Sequence, residues 1–224
     1  MALVNVIPDL GGSFAYLLRV GPRARLGIAR GQGSASGSIG AAAAWLLVEG
    51  GEGEIHAGPV RLEVAGRDDV FDGPGWSILL APKTRIAIHG NLRYSIAGRA
   101  ASGDRIETRV IAPDEVTREA FGEGGADNTV CTYLSDGPLR CGEVVSTAGS
   151  WAGWPPHRHD SEQLKLFRFD PPTGVGIQIS ETKDGGQRAD VLHDGEARRI
   201  RSGQHPSVST PDATMYCLWV LDAS

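Results

Sequence analysis

Trp154-Pro155-Pro156-His157-Arg158-His159-Asp160-Ser161-Glu162-Gln163 runs directly into Leu164-Lys165-Leu166-Phe167-Arg168-Phe169. Two prolines break the chain just before a histidine pair, and the apolar, largely alternating residues after it read as a β-strand over Gln163–Phe169. Residues i and i+2 of a strand share a face, so the imidazoles of His157 and His159 can reach one ion. An H-x-H triplet alone is weak, because surface histidine pairs need no metal. A third histidine follows in Arg201-Ser202-Gly203-Gln204-His205-Pro206, behind a glycine turn and before a strand-breaking proline. In a barrel, such a histidine can face inward across from the first pair.

Outward from this stretch the same texture continues. Val130–Leu134, Arg140–Ser146, Gly176–Glu181, Ala197–Ile200 and Met215–Leu221 are short β-prone runs, and so are Ala43–Val48, Gly53–His56, Val60–Val64, Ser77–Leu80, Arg85–His89 and Leu92–Ala97. The 31 glycines and 13 prolines fall singly between them, which is the punctuation of many strands. Ile111–Phe121 interrupts the rhythm. Pro113 sits near a helix start, Asp114 and Glu115 suit a first turn, and the glycines at 122, 124 and 125 stop it. The expected fold is all-β: two similar barrels in tandem, residues 1–110 and 129–224, joined by a short helical connector over residues 111–128.

The bulk numbers agree with a globular chain. Of 224 residues 41% are apolar, enough to bury one large β domain or two small ones. A formal charge of -5 with no basic stripe argues against a nucleic-acid partner. No apolar run approaches the ~20 residues that cross a bilayer, and the N-terminus lacks a leader pattern, so no membrane partner and a cytoplasmic location are expected. Cys131, Cys141 and Cys217 are odd in number and lack C-x-x-C spacing, the pattern of buried free thiols.

The H-x-H triplet, the cluster Asp160-Ser161-Glu162-Gln163 and the distant His205 together resemble the cupin metal motif. The wording around them is similar to that of the 5-deoxy-glucuronate isomerases of bacterial myo-inositol catabolism, bicupins related to the 4-deoxy-hexuronate isomerase of pectin breakdown. Val70-Phe71-Asp72-Gly73-Pro74, Gly142-Glu143-Val144, the Trp154–Asp160 stretch, Phe169-Asp170-Pro171-Pro172-Thr173-Gly174, His193-Asp194-Gly195 and Gly203-Gln204-His205-Pro206 carry the resemblance in order, over roughly residues 40 to 221.

The resemblance implies a bicupin of two jelly-roll-like barrels, with the metal site in the C-terminal lobe and a structural N-terminal lobe. It implies a divalent metal, zinc first and iron, manganese or nickel as alternatives, held by His157, His159, Gln163 or Glu162, and His205. The reaction implied is aldose–ketose isomerisation of a sugar acid. The candidate catalytic residues are Glu162 and Asp160 as the base, Lys165 to hold a substrate carboxylate, and Tyr216, which matches a family tyrosine. A homodimer is expected.

The sequence departs from the family pattern in several places. Where a Glu-Glu pair is usual, Glu162-Gln163 stands, and an amide oxygen is a weaker donor than a carboxylate. A one-residue register slip would be needed for Glu162 to take the place of Gln163. Lys165 and Phe167 replace tyrosines, Trp219 replaces an asparagine, and relatives usually continue past the position of Ser224. These departures keep open a non-catalytic cupin that binds a sugar acid or another small molecule. An iron dioxygenase is a third reading. His193 before Asp-Gly reads more simply as a turn residue than a catalytic one. Arg168 reads as a snorkelling surface cation, and His56 and His89 lack triplet spacing.

Overall fold

A computed structural model describes residues 11–18, 25–40, 42–100, 106–137, 139–182 and 184–223. Residues 1–10, the stretch read for a leader, lie outside them. The chain divides into two compact units: one runs to Val116 and takes in Asp136–Leu139, the other comprises Thr117–Ser135 and Arg140–Ser224. Among the described residues no helix is long and apolar enough to cross a membrane.

The first unit is one antiparallel sheet in the order Val60–Val64, Gly53–Ala57, Arg85–Gly90, Leu26–Ser38, Arg93–Ala100, Ala42–Gly50, Ser77–Leu80 and Arg109–Ile111, with Gly11–Leu18 added against Leu26–Ser38. The long strand Leu26–Ser38 pairs with Arg93–Ala100 through its first half and with Arg85–Gly90 through its second, so the sheet curls around one apolar face. Ile55, Ile78, Leu46, Ile88 and Ile96 are buried on that face. Alternation puts His56 and Arg85 on the other face. There His56 Nε2 lies 2.5 Å from Glu54 Oε1, and its ring centroid is 5.6 Å from that of His89.

The second unit has a six-stranded antiparallel sheet ordered Thr117–Glu123, Ala126–Leu134, Leu139–Ser146, Thr214–Asp222, Gln163–Asp170, Ala197–Ile200. A four-stranded sheet of Trp151–Ala152, Ser207–Ser209, Gly176–Glu181 and Gln187–Leu192 and a small ribbon of Arg158–His159 with Gly203–Gln204 complete it. The central pair, Gln163–Asp170 against Thr214–Asp222, is buried on both faces, which is why both read as nearly continuous apolar runs. On one face Phe167, Phe169, Met215 and Cys217 pack with Ala152, Leu192 and Ala213. A fully buried phenylalanine there contributes about 1.5–3 kcal/mol.

The helix expected over Ile111–Phe121 is a correction. Only Pro113–Glu115 forms a 3-10 turn, and Thr117–Glu123 is a strand. Gly124 and Gly125, read as helix stops, have φ of 64° and 82° and make a two-residue hairpin into Ala126–Leu134. Positive φ at both central residues matches the right-handed twist of the flanking strands, and the hairpin pairs seven residues that a short polar helix would have left unpaired.

Candidate metal centre

The three histidines come from two short segments held side by side. Arg158 pairs with Gln204 and His159 with Gly203, which sets the H-x-H triplet against the approach to His205. Gly203 adopts φ +90°, and a Cβ there would stand 3.0 Å from Glu181 Oε2, so both conformation and space call for glycine. The Glu181 carboxylate ties the two segments: Oε1 accepts from Arg158 Nη1 at 2.9 Å and Oε2 from the Gln204 amide at 3.2 Å.

The imidazoles of His157, His159 and His205 each offer one nitrogen, and these atoms all lie within 4.8 Å of one another. Ring centroids are 5.0 Å apart for His157–His159, 5.5 Å for His157–His205 and 5.2 Å for His159–His205. His205 is buried, and its Nδ1–H donates to the Gly203 carbonyl at 2.8 Å, which leaves Nε2 as the nitrogen with a free lone pair. Burial pushes the His205 pKa down to about 3, with the Lys165 charge adding to it, and burial and the neighbouring His157 lower that of His159. Both rings are therefore neutral at pH 7, the state in which imidazole ligates a metal.

The histidines open into a cavity of about 430 Å³ that Gln163 and Lys165 also line. Gln163 Oε1 is buried and has no hydrogen-bond partner. A buried amide oxygen without a partner costs about 1–3 kcal/mol, so it calls for a ligand. Three imidazoles and one spare amide oxygen on one cavity fit a divalent ion, and the nitrogen-rich set suits zinc, nickel or iron better than magnesium or calcium.

The catalytic candidates part company here. Lys165 lines the cavity, is buried, and donates from Nζ to the His205 carbonyl at 3.0 Å; burial lowers its pKa. Glu162 does not line the cavity; its Oε1 lies 3.5 Å from Arg199 Nε, on the opposite side of the strand from Gln163. Asp160 is exposed in the bend after the ribbon. Tyr216 is a further correction. It pairs with Arg168, and alternation sends it to the opposite face from Cys217 and Trp219, where its hydroxyl donates to Glu143 Oε1 at 2.6 Å. Tyr133 donates to Glu143 Oε2 at 2.5 Å. Tyrosine is the right residue to satisfy a buried carboxylate, and neither of the two lines the cavity.

His193 is exposed in a turn whose Glu196 amide donates to the His193 carbonyl. Arg168 donates to Asp194 Oδ1 at 2.8 Å and is mostly covered, a buried-side ion pair rather than a snorkelling cation. Two contributions had no signal in the chain. Glu181 ends an ordinary strand, and Phe121, expected in a helix, sits half exposed at the cavity.

Similarities to known proteins bear on this site. The 5-deoxy-glucuronate isomerase of Geobacillus thermodenitrificans is 26% identical over 195 residues, covering 80% of this chain and 71% of the relative; that of Geobacillus kaustophilus gives the same figures. An IolB-like protein from Salmonella typhimurium superposes with a TM-score of 0.84 at 21% identity, over 100% of this chain and 93% of that one. Bacillus subtilis oxalate decarboxylase superposes with a TM-score of 0.62 at 8% identity, over 88% of this chain and 68% of that one. The fold is accordingly the all-β bicupin. The sequence profile of the KduI/IolB family matches residues 25–223, and the chain belongs to that family.

Proposed function

We propose that this protein is a metal-dependent sugar-acid isomerase similar to 5-deoxy-glucuronate isomerase, interconverting an aldose and a ketose. The observation that carries it is the convergence of His157, His159 and His205 on one cavity in a chain of this family. A divalent ion bound there supplies Lewis acidity toward a carbonyl and its neighbouring hydroxyl. The chain's own part is to present three imidazoles, to hold Gln163 Oε1 as a further oxygen donor, and to cover the site with Trp154 and Trp219. Isomerisation moves one hydrogen from the carbinol carbon to the adjacent carbonyl carbon, which needs a base. Glu162 and Asp160 do not line the cavity and Lys165 does, which supports Lys165 as the base of this reading, and the burial that lowers its pKa favours the free amine.

As part of the same reading the protein works in the cytoplasm, in inositol catabolism, as a homodimer on a small sugar acid and with zinc as its metal. Elemental analysis and size-exclusion mass measurement check the last two.

The decisive assay incubates the metal-loaded protein with 5-deoxy-D-glucuronate in D2O. Ketose formation with deuterium entering at the former carbonyl carbon, both abolished by chelation and by His157→Ala, is expected. No conversion by fully metal-loaded protein overturns the isomerase.

One observation favours a second reading, a cupin that binds a small acid without turning it over: among the described residues no carboxylate lines the cavity. In that case Lys165 stays an anchor, and native protein shows ligand binding without deuterium exchange.

A further inference from the structure

Two buried polar side-chain atoms of cavity-lining residues have no hydrogen-bond partner among the described residues, and they are of opposite kind. Gln163 Oε1 is an acceptor, suited to a cation. Trp219 Nε1 carries a hydrogen and only donates. The indole is held in place by its neighbour. A Cβ on Gly142, in the strand Leu139–Ser146, would stand 2.5 Å from Trp219 Cζ2 and 2.7 Å from Cε2, so this edge of the ring rests on bare glycine backbone. Cε2 is bonded to Nε1, and the contact therefore fixes where the N–H lies.

The polar groups around it bond elsewhere. Asn128 Nδ2 donates to the Trp151 carbonyl at 2.8 Å and its Oδ1 accepts from Ser146 Oγ. Lys165 Nζ donates to the His205 carbonyl at 3.0 Å, and His205 Nδ1 donates to that of Gly203. A buried N–H without an acceptor is rare in folded proteins, so this one calls for an acceptor that the described residues do not supply. Gln163 stands opposite Leu221 and Lys165 opposite Trp219, which makes Gln163 and Trp219 diagonal neighbours on one face of the strand pair. Such positions are about 7–8 Å apart, so a ligand of several carbons can meet both.

We infer that Trp219 is a substrate-binding residue whose indole N–H donates to an oxygen of the sugar acid's body, beyond the carbonyl and hydroxyl that meet the metal. The inference rests on the proposed reading in taking a sugar acid as the ligand of this cavity, and it adds the group that recognises the acid's length. A two-carbon ligand at the histidines leaves the donor unpaired. A sugar acid brings hydroxyls along its chain and a carboxylate at its far end, and either offers the lone pair that the indole lacks.

The test measures binding of three acids that cannot isomerise, glycolate, D-gluconate and D-glucarate, to the zinc-loaded full chain by calorimetry. Each has a carboxylate with an adjacent hydroxyl for the metal; gluconate adds a chain of hydroxyls, and glucarate adds a second carboxylate as well. Trp219→Phe removes the N–H, and benzothienylalanine placed at position 219 exchanges it for sulfur in a ring of the same shape. Both replacements are expected to weaken glucarate about tenfold and to leave glycolate within about twofold. In the native protein the indole N–H resonance of Trp219, identified by its absence in Trp219→Phe, shifts with glucarate and not with glycolate. A loss shared by gluconate assigns the donor to a chain hydroxyl; a loss confined to glucarate assigns it to the far carboxylate. Affinities that fall equally for all three acids, affinities that stay unchanged, or no binding of either longer acid by the native chain at millimolar concentration overturns the inference. None of the three contains an aldehyde or ketone, so a failed deuterium assay with 5-deoxy-D-glucuronate judges the isomerase reading alone, and zinc stoichiometry in the same samples judges the metal.

Discussion

Glu162 and Gln163 are neighbours in the chain that project to opposite sides of one strand: the Gln163 amide lines the imidazole cavity, and the Glu162 carboxylate lies 3.5 Å from Arg199 Nε. The register of Gln163–Asp170 on Thr214–Asp222, with Gln163 opposite Leu221 and Lys165 opposite Trp219, fixes this choice. A slip by one residue would turn Leu164 and Leu166, both fully buried on the far face, toward the ligand.

Gln163→Glu places a carboxylate where the unpartnered amide oxygen lies. Zinc affinity, measured by competition with a chromophoric chelator, is expected to rise about tenfold, a gain of ~1.4 kcal/mol. Glu162→Gln is expected to leave it within about twofold, since it removes a charge paired with Arg199 on the far side. The reverse pattern would show that Glu162 is the ligand.

Glu181 ties Arg158 and the Gln204 amide together and so fixes the spacing between the H-x-H triplet and His205. Outer partners of metal ligands are worth about 10–100-fold in affinity. Because Arg158 is 60% exposed, Glu181→Ala is expected at the lower end, about tenfold weaker zinc binding. Glu181→Gln keeps an acceptor for the Gln204 amide and is expected to recover part of the loss. Unchanged zinc affinity in Glu181→Ala would remove the clamp.

Tyr216→Phe deletes one of two phenol donors to the buried Glu143 carboxylate. The expected cost is about 1–3 kcal/mol of stability by urea denaturation, with zinc affinity unchanged. A variant of native stability that lost zinc or turnover would restore Tyr216 to the active site.

The metal-free protein is expected to lose stability in acid. His205 has a folded-state pKa of about 3, below the ~6.5 of an exposed imidazole, so the unfolded chain takes up a proton that the folded chain refuses. The contribution is complete above pH ~6.5 and falls away as the pH drops toward 3. His159, lowered by burial and by His157, acts in the same sense. Lys165, His157 and His159 oppose protonation of His205, and the Gly203 carbonyl favours it. Urea midpoints with chelator present should decline from pH 7 to pH 5, and less steeply in His205→Gln. A flat native profile over that range would contradict the buried neutral ring.

Much of the strand pattern was legible because alternation and turn residues are local. Gln163–Phe169, Gly176–Glu181 and Ala197–Ile200 stand within a residue of where the periodicity placed them. Leu26–Ser38 was not read, since its glycine- and serine-rich second half has no apolar alternation and is a strand only because Arg85–Gly90 pairs with it. Thr117–Glu123 was missed for a related reason. Its residues are exposed throughout, so no burial pattern marks it, and the Gly124–Gly125 hairpin alone makes it a strand.

By itself, the sequence determined an all-β chain and named the three histidines, because residue type and spacing carry both. Only the tertiary structure decided that Gln163 rather than Glu162 lines the cavity, that Tyr216 faces away from it, and that Glu181 binds the two histidine segments together. Those outcomes depend on strand register and on partners far apart in the chain. Side-chain direction alternates with each residue, so a single step of pairing exchanges the groups that meet a ligand for those that meet the core.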